Sequence, residues 1–134
     1  MRVQAIIVSK GEAKMGEVEV GKPSRSEVLV ETKACGICMG EVYSFTGKLS
    51  GGHAMGHEGV GIVAEVGEEV KNVKPEDKVT TLGGPALAAF YKTACQNVAK
   101  IPDDVHDLTS WISEPAACAV NGIRGMHACK REKD

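Results

Sequence analysis

The sequence predicts a mainly β domain, a small barrel or sandwich, that is followed by short helices near its C-terminal end. Three observations lead to this prediction. Short β-rich segments fill most of the first hundred of the 134 residues, 16 glycines supply tight turns between them, and apolar residues in the last third recur at helical spacing. Strands this short and closely spaced favour a barrel or sandwich over a parallel doubly wound sheet.

The predicted strands follow one another with turn residues between them. They cover residues 3–8, 16–20, 26–34, 59–66 and 78–81. Alternation of apolar and more polar residues is clearest in the third and fourth of these segments, as expected for strands with one buried face. The run Lys74-Pro75-Glu76-Asp77 predicts a turn that leads into the last strand.

Residues 107–127 predict helical structure. Gaps of three and four separate Leu108, Trp111, Ile112, Ala116, Ala119, Val120, Ile123 and Met126. Asp107 is placed to cap a first helix, and Pro115 suits the first turn of a second. Trp111 is expected to be a core anchor rather than a platform for substrate, and Cys118 is expected on the apolar face of a helix.

The composition is that of an ordinary globular domain, with 43% apolar residues, 25% charged residues and a net charge of -2. The absence of a basic stripe argues against a nucleic-acid partner. The start of the chain lacks the apolar run of a signal peptide or membrane span, so no membrane partner and a cytoplasmic location are expected. In a reducing compartment, five cysteines favour metal ligands or core positions over disulfides.

Three short motifs carry side chains that suit zinc. Cys35-Gly36-Ile37-Cys38 follows a predicted strand, Gly56-His57-Glu58 opens the next glycine-rich strand, and Ser113-Glu114-Pro115 begins the C-terminal helix. Thiolate, imidazole and carboxylate groups are zinc ligands, and catalytic zinc sites use three protein ligands with one open position. Each motif alone has a plainer interpretation, such as a redox pair or a core histidine. Their joint occurrence favours a metal site.

The same motifs resemble the zinc signature of the medium-chain, zinc-dependent alcohol dehydrogenases. Residues 56–61 with Gly67 and Val70 match its diagnostic positions, and residues 35–38, 73–79, 98–103 and 114–115 follow in the family's order. The resemblance implies a GroES-like distorted β-barrel. It further implies that residues 1–128 form a zinc-binding catalytic domain and residues 129–134 a charged tail or linker towards a dinucleotide-binding domain.

The resemblance also assigns the metal ligands. Cys38 is the expected zinc thiolate and His57 the imidazole, while Cys35 is expected to pack in the turn. Glu58 matches a carboxylate that binds zinc in some members only. Glu114 lies where the third ligand falls, which is a cysteine in some branches and an acid in the polyol, threonine and glucose dehydrogenases. Because a third anion would give the site a net negative charge, Glu58 and Glu114 are not expected to bind tightly together.

Some positions depart from the family pattern. Glu41 stands where an aspartate usually orients the zinc histidine, and Gly40 stands where a serine or threonine often hydrogen-bonds the reacting oxygen. Tyr43 lies where a second proton-relay residue often sits, and His53 is an alternative relay. The predicted catalytic residues are Glu58 and Tyr43.

One catalytic zinc and no structural zinc are expected, because no cysteine occurs between Thr80 and Phe90, where the family's four-cysteine lobe falls. No Gly-x-Gly-x-x-Gly follows a predicted strand. NAD(P) is therefore expected only through a dinucleotide-binding domain, in cis or in trans, that would begin about where this chain stops.

Together these features predict the zinc-binding catalytic domain of an NAD(P)-dependent alcohol or polyol dehydrogenase, in which zinc polarises the alcohol oxygen for hydride transfer. The substrate is expected to be a small alcohol or polyol. The chain alone is expected to be inactive, and an apolar face around Trp111 is expected to favour self-association or binding of a partner domain. The alternative is a stand-alone zinc-binding or interaction module of GroES-like fold without catalytic activity.

Overall fold

The computed structural model describes residues 1–48 and 53–131, with side chains described for residues 1–48 and 54–125. In chain order these residues form β1 (Arg2–Ser9), β2 (Glu12–Glu19), β3 (Glu27–Gly36), α1 (Met39–Phe45), β4 (His53–Ala54), β5 (Glu58–Val66), β6 (Lys78–Thr81), β7 (Phe90–Ala94), β8 (Val98–Lys100) and α2 (Glu114–Arg131), with 3-10 turns at Cys95–Asn97 and Leu108–Trp111. The predicted fold class, mainly β with a helical C-terminal part, is confirmed.

The strands form two antiparallel sheets. One has the order β2-β1-β4 and the other the order β7-β3-β5-β6-β8. In the described part of the chain these sheets do not close into the single barrel that the sequence predicts. The reason is that β1 pairs with β2 on one edge and with β4 on the other, so neither edge is left to join the second sheet. Outside its own sheet, β1 makes contacts such as the hydrogen bond from Ile6 N–H to the Leu87 carbonyl at 2.8 Å.

Strand β3 is the centre of the core because both of its faces are covered. Val28 and Val30 are fully buried in a cluster with Tyr91, whereas Leu29 points to the other side and is buried against Val3. The alternation in residues 26–34 predicts only one buried face. Leu29 departs from that prediction because the β2-β1-β4 sheet packs against its face.

The pairing of β3 with β5 brings two of the three motifs together. A register shift between Thr32 and Ala34 lets the end of β3 pair with the start of β5, so that Cys35 lies opposite Gly59 and Gly36 opposite Glu58. The shift is a local bulge of the kind that often re-aims side chains beside functional sites. The Cys-x-x-Cys turn therefore leaves the sheet directly beside the glutamate of the second motif.

The C-terminal part begins with a capped 3-10 turn and continues as one long helix. Asp107 accepts a hydrogen bond from Thr109 N–H at 2.9 Å, and Pro115 lies in the first turn of α2, as predicted. Trp111 is 37% exposed and Ile123 is 56% exposed. Trp111 is therefore not the buried core anchor that the sequence predicts, because its 3-10 turn contacts β3 and β5 while part of its ring remains exposed. Cys118 is exposed as well.

None of the helices in the described ranges is long and apolar enough to span a membrane.

A partly exposed ionic contact between strands β3 and β7 gives a testable pH dependence. Glu27 accepts a hydrogen bond from Ser24 N–H at 2.8 Å and pairs with Lys92 at 3.0 Å. The hydrogen bond from Ser24 and the Lys92 ammonium lower the pKa of Glu27 from 4.5 to about 2. A carboxyl group with a depressed folded-state pKa stabilises the fold above its unfolded pKa, and this contribution is lost as the pH falls towards 2.

Glu27→Gln is expected to lower the free energy of unfolding by about 1 kcal/mol at pH 7, a value kept small because water screens this partly exposed pair. The difference from the wild type should shrink as the pH falls from 4.5 to 3. Urea unfolding across this range measures it, with Glu31→Gln, which removes an exposed partner of Lys33, as the control. A difference that stays constant or grows towards acid pH contradicts this assignment.

Candidate metal centre

Cys38 caps the short helix α1. Its thiol sulfur accepts a hydrogen bond from Gly40 N–H at 3.3 Å, and its own N–H donates to Glu41 Oε2 at 2.9 Å. This reciprocal arrangement is a capping box with cysteine in place of the usual serine or threonine. Helix α1 is not among the predicted elements, although the Cys38-x-x-Glu41 spacing is the signal of its start. The cap fixes the direction in which the Cys38 sulfur faces.

Glu41 joins the first motif to the second. Its Oε1 accepts a hydrogen bond from Gly56 N–H at 3.2 Å and lies 3.5 Å from His57 Nδ1. Its Oε2 accepts the hydrogen bond from Cys38 N–H. Glu41 is only 5% exposed, and two backbone N–H groups satisfy its carboxylate. The glutamate at the family's aspartate position therefore does reach the histidine.

His57 is presented by a turn that requires glycine. Gly56 has φ +99°, and a Cβ there would lie 2.7 Å from the Leu87 nitrogen and 2.9 Å from the Cys35 sulfur. Only glycine adopts such a backbone readily at so close an approach. The His57 carbonyl in turn accepts a hydrogen bond from Gly83 N–H at 3.0 Å. The imidazole itself stays partly exposed, so one of its edges is open to a ligand.

Glu58 is buried in a space that is open because Gly36, opposite it on β3, has no side chain. It is 8% exposed, and a Cβ added to Gly36 would overlap its carboxylate. Burial raises the pKa of Glu58, and the negative charge of nearby Glu114 raises it further. The sequence analysis assigned no role to Gly36 beyond its place in the motif. The structure shows that this glycine provides the cradle for the Glu58 carboxylate.

Glu114 enters the site from the first residue of α2. The start of the helix is fixed because Ser113 Oγ and Thr80 Oγ1 are hydrogen-bonded at 2.9 Å. One turn later, the Cys118 thiol donates to Glu114 Oε1 at 2.7 Å. Glu114 is 8% exposed. The sequence analysis found no partner for Cys118, although its position four residues after Glu114 places the two on one helix face.

Potential ligand atoms form two groups that share His57. One group contains Cys38, Glu41 and His57, and the other contains His57, Glu58 and Glu114. Within each group the ligand atoms lie within 4.8 Å of one another. Of the four sequence-predicted metal ligands, Cys38 lies in the first group, Glu58 and Glu114 lie in the second, and His57 belongs to both.

The other candidate residues differ in their surroundings. Tyr43 is exposed on α1, and its ring lies 5.2 Å from Lys48 Nζ. The side chain of His53 falls outside the described residues, as does that of Cys129. Cys35 donates to the Gly36 carbonyl at 3.2 Å, and burial raises the pKa of its thiol to about 11. A thiol held protonated in this way agrees with a packing role for Cys35.

The residues at this site fit a zinc ion. A thiolate, an imidazole and carboxylates are a zinc donor set. In the part of the chain with described side chains, no lysine or arginine forms an ion pair with Glu58 or Glu114. Two buried, adjacent carboxylates without a cationic partner are costly, and a bound dication would neutralise them.

Comparisons with known proteins concern the family and the fold. Residues 24–128 match the family described as the alcohol dehydrogenase GroES-like domain. Over 69 residues the chain is 42% identical to S-(hydroxymethyl)glutathione dehydrogenase of Photobacterium damsela subsp. piscicida, and 39% identical to that of Escherichia coli strain HS. Each match covers 49% of this chain and 19% of the relative, so the chain spans a minor part of these enzymes.

Solved structures show the same fold. Benzyl alcohol dehydrogenase from Acinetobacter calcoaceticus superposes with a TM-score of 0.72 at 18% identity, covering 78% of this chain and 42% of that one. A protein described as a short chain alcohol dehydrogenase from Escherichia coli CFT073, in complex with NADH, gives a TM-score of 0.72 at 22% identity, covering 85% and 42%. At these identities the likeness concerns the fold alone.

Proposed function

The chain belongs to the alcohol dehydrogenase GroES-like domain family, and we propose that it is the zinc-binding catalytic domain of an NAD(P)-dependent alcohol or polyol dehydrogenase of the cytoplasm. The observation that carries this proposal is that His57 belongs to two groups of potential ligand atoms, one with Cys38 and the other with Glu58 and Glu114. Its substrate is a small alcohol or polyol, and it holds one catalytic zinc and no structural zinc.

Cys38, His57 and one of the two carboxylates, Glu58 or Glu114, are the ligands in this proposal, with the other carboxylate beside them. Zinc bound there would supply Lewis acidity that polarises an alcohol oxygen. The protein's part is to hold these ligands in place before the substrate arrives. Both carboxylates are almost fully buried, which excludes water from their side of the site.

Two contacts orient His57 and Cys38 in this site. Glu41 Oε1 lies 3.5 Å from His57 Nδ1, which orients the imidazole ring and leaves Nε2 free to coordinate. The hydrogen bond from Gly40 N–H fixes the direction of the Cys38 sulfur. Both side chains are thereby held in place for a metal ion.

Glu58 and Tyr43 are the proposed catalytic residues. Glu58 is buried between His57 and Glu114, where it can exchange places with Glu114 beside the metal ligands. Gly40 carries no hydroxyl for a proton relay next to the zinc thiolate. Tyr43 is exposed, so its hydroxyl has access to water as the final proton acceptor.

The cofactor is proposed to come from a dinucleotide-binding domain, in cis or in trans, with residues 129–134 as the tail or linker that leads to it. Val120 and Ile123 on α2 are at least half exposed, and Leu82 and Trp111 are exposed as well. This apolar surface is where a partner domain, or a second copy of the chain, would pack.

The convergence of the ligands favours the enzyme over the stand-alone interaction module. A module that had lost its chemistry would have no need for two buried carboxylates beside a thiol and an imidazole, since such a cluster destabilises the metal-free fold. The relatives that the chain matches are dehydrogenases, which supports the same choice.

The chain alone is expected not to reduce NAD or NADP with any primary, secondary or polyol substrate, because hydride transfer requires the cofactor ring to be positioned against the substrate. Adding a separately expressed dinucleotide-binding domain from a family relative should restore zinc-dependent turnover, followed by absorbance of the reduced nicotinamide.

The Cys38→Ser variant serves as the control for this experiment. Zinc-dependent turnover by the chain alone, above that of the control, would show that it holds a cofactor site of its own. Failure of the zinc-loaded mixture to oxidise any substrate, although the two domains bind each other, would contradict the proposed function.

A further inference from the structure

We propose that Cys118 is a positioning residue that holds the Glu114 carboxylate in place for the metal. This inference rests on the proposed function, since it concerns the acidic ligand of the same zinc site. No role for Cys118 follows from the sequence motifs, all of which end at Pro115 or earlier.

Two hydrogen bonds fix Glu114, one beside its backbone and one at its carboxylate. The Ser113–Thr80 hydrogen bond anchors its backbone to β6, and the Cys118 thiol donates to its Oε1 at 2.7 Å. A carboxylate with one oxygen held from the next turn of the helix cannot rotate freely about its last side-chain bond. A carboxylate oxygen of Glu114 lies within 4.8 Å of the ligand atoms of Glu58 and His57, so the hydrogen bond from Cys118 helps to set how the carboxylate is presented to them.

A thiol suits this task because it is neutral. Elsewhere in the chain, a lysine holds a buried carboxylate: Asp77 pairs with Lys100 at 2.9 Å. A lysine at Glu114 would cancel the charge that the metal needs. A thiol is a weak donor that orients the carboxylate and leaves its negative charge available to the cation.

The test compares Cys118→Ala with Cys118→Ser in the whole chain. Zinc affinity is measured by competition with a chromophoric chelator, after circular dichroism has shown that each variant is folded. Removing a group that orients a ligand typically costs about 10- to 100-fold in metal affinity, so Cys118→Ala should weaken zinc binding by about 10-fold. Cys118→Ser should recover most of this loss because a hydroxyl also donates.

Alkylation followed by mass spectrometry gives a second measurement that does not depend on activity. With zinc bound, Cys118 should still react with iodoacetamide because the residue is exposed and is not a ligand, whereas Cys38 should be protected. Cobalt substitution should show the same sulfur-to-metal charge-transfer intensity in Cys118→Ser as in the wild type.

Two results would overturn the inference while the proposed function stands. One is an unchanged zinc affinity in Cys118→Ala, which would show that the hydrogen bond does not position Glu114. The other is zinc protection of Cys118 together with a reduced charge-transfer band in Cys118→Ser, which would make Cys118 a ligand. A folded wild-type chain that binds no zinc overturns the proposed function, and this inference falls with it.

Discussion

Cys38→Ser is expected to lower the zinc affinity of the chain by at least about 100-fold, because it removes the only thiolate among the proposed ligands. Removing a group that merely orients a ligand already lowers metal affinity by about 10- to 100-fold. Cys35→Ser, only three residues away, is expected to change the affinity by less than about threefold. Burial raises the pKa of the Cys35 thiol to about 11, which disfavours the thiolate form that a metal ligand needs. Isothermal titration with zinc, under reducing conditions, compares the two variants directly.

Folding must be separated from metal binding in this comparison. Cys35 is partly buried against the core, so Cys35→Ser is expected to lower stability more than Cys38→Ser does in the metal-free state. Urea unfolding in the presence of a chelator measures that difference. If Cys35→Ser proved the worse of the two for zinc binding but not for folding, the assignment of the ligand cysteine would be wrong.

Glu41→Gln is expected to lower zinc affinity by about 10-fold or more and the free energy of unfolding by about 1–2 kcal/mol. Each oxygen of Glu41 accepts a backbone N–H, from Cys38 on one side and from Gly56 on the other. Glutamine keeps one acceptor and places an amide N–H against the other donor, which leaves a buried N–H without a partner. The charge that orients His57 is lost at the same time.

Glu41→Asp is the matched control, since it keeps the charge and shortens the side chain by one methylene. It should retain more zinc affinity than Glu41→Gln, because the charge beside His57 remains. Chelator competition and urea unfolding give the two quantities. Equal affinity in the wild type and Glu41→Gln would show that His57 is oriented by something other than Glu41.

Local sequence patterns predicted the strands that carry the site. Residues 26–34, 59–66 and 78–81 correspond to β3, β5 and β6 within two residues at each end, since β-branched residues and flanking glycines are local signals. That the ends of β3 and β5 meet, with Gly36 opposite Glu58, is a long-range pairing. Only the family resemblance predicted this convergence.

Short elements were missed because their propensity is weak. Helix α1 contains glycine, valine and two aromatic residues, so its start depends on the Cys38–Glu41 capping box. Strands β4, β7 and β8 have two to five residues each and form only through pairing with distant strands. The order of residues within them carries too little periodicity to predict them.

Burial of individual side chains depends on what packs over them. Leu29 was expected on the polar face of its strand, yet the β2-β1-β4 sheet buries it. Trp111 was expected in the core and is partly exposed. Hydropathy alone indicates neither outcome, because each depends on a neighbouring element or on its absence among the described residues.

Zinc K-edge X-ray absorption of the chain with one equivalent of zinc is the most direct test of the central claim, which is that Cys38, His57 and a carboxylate bind one zinc ion. The expected result is one sulfur ligand at about 2.3 Å, with nitrogen and oxygen ligands at about 2.0–2.2 Å, and loss of the sulfur signal in Cys38→Ser. A folded chain that takes up no zinc, or a bound zinc with no sulfur or with two, would contradict it.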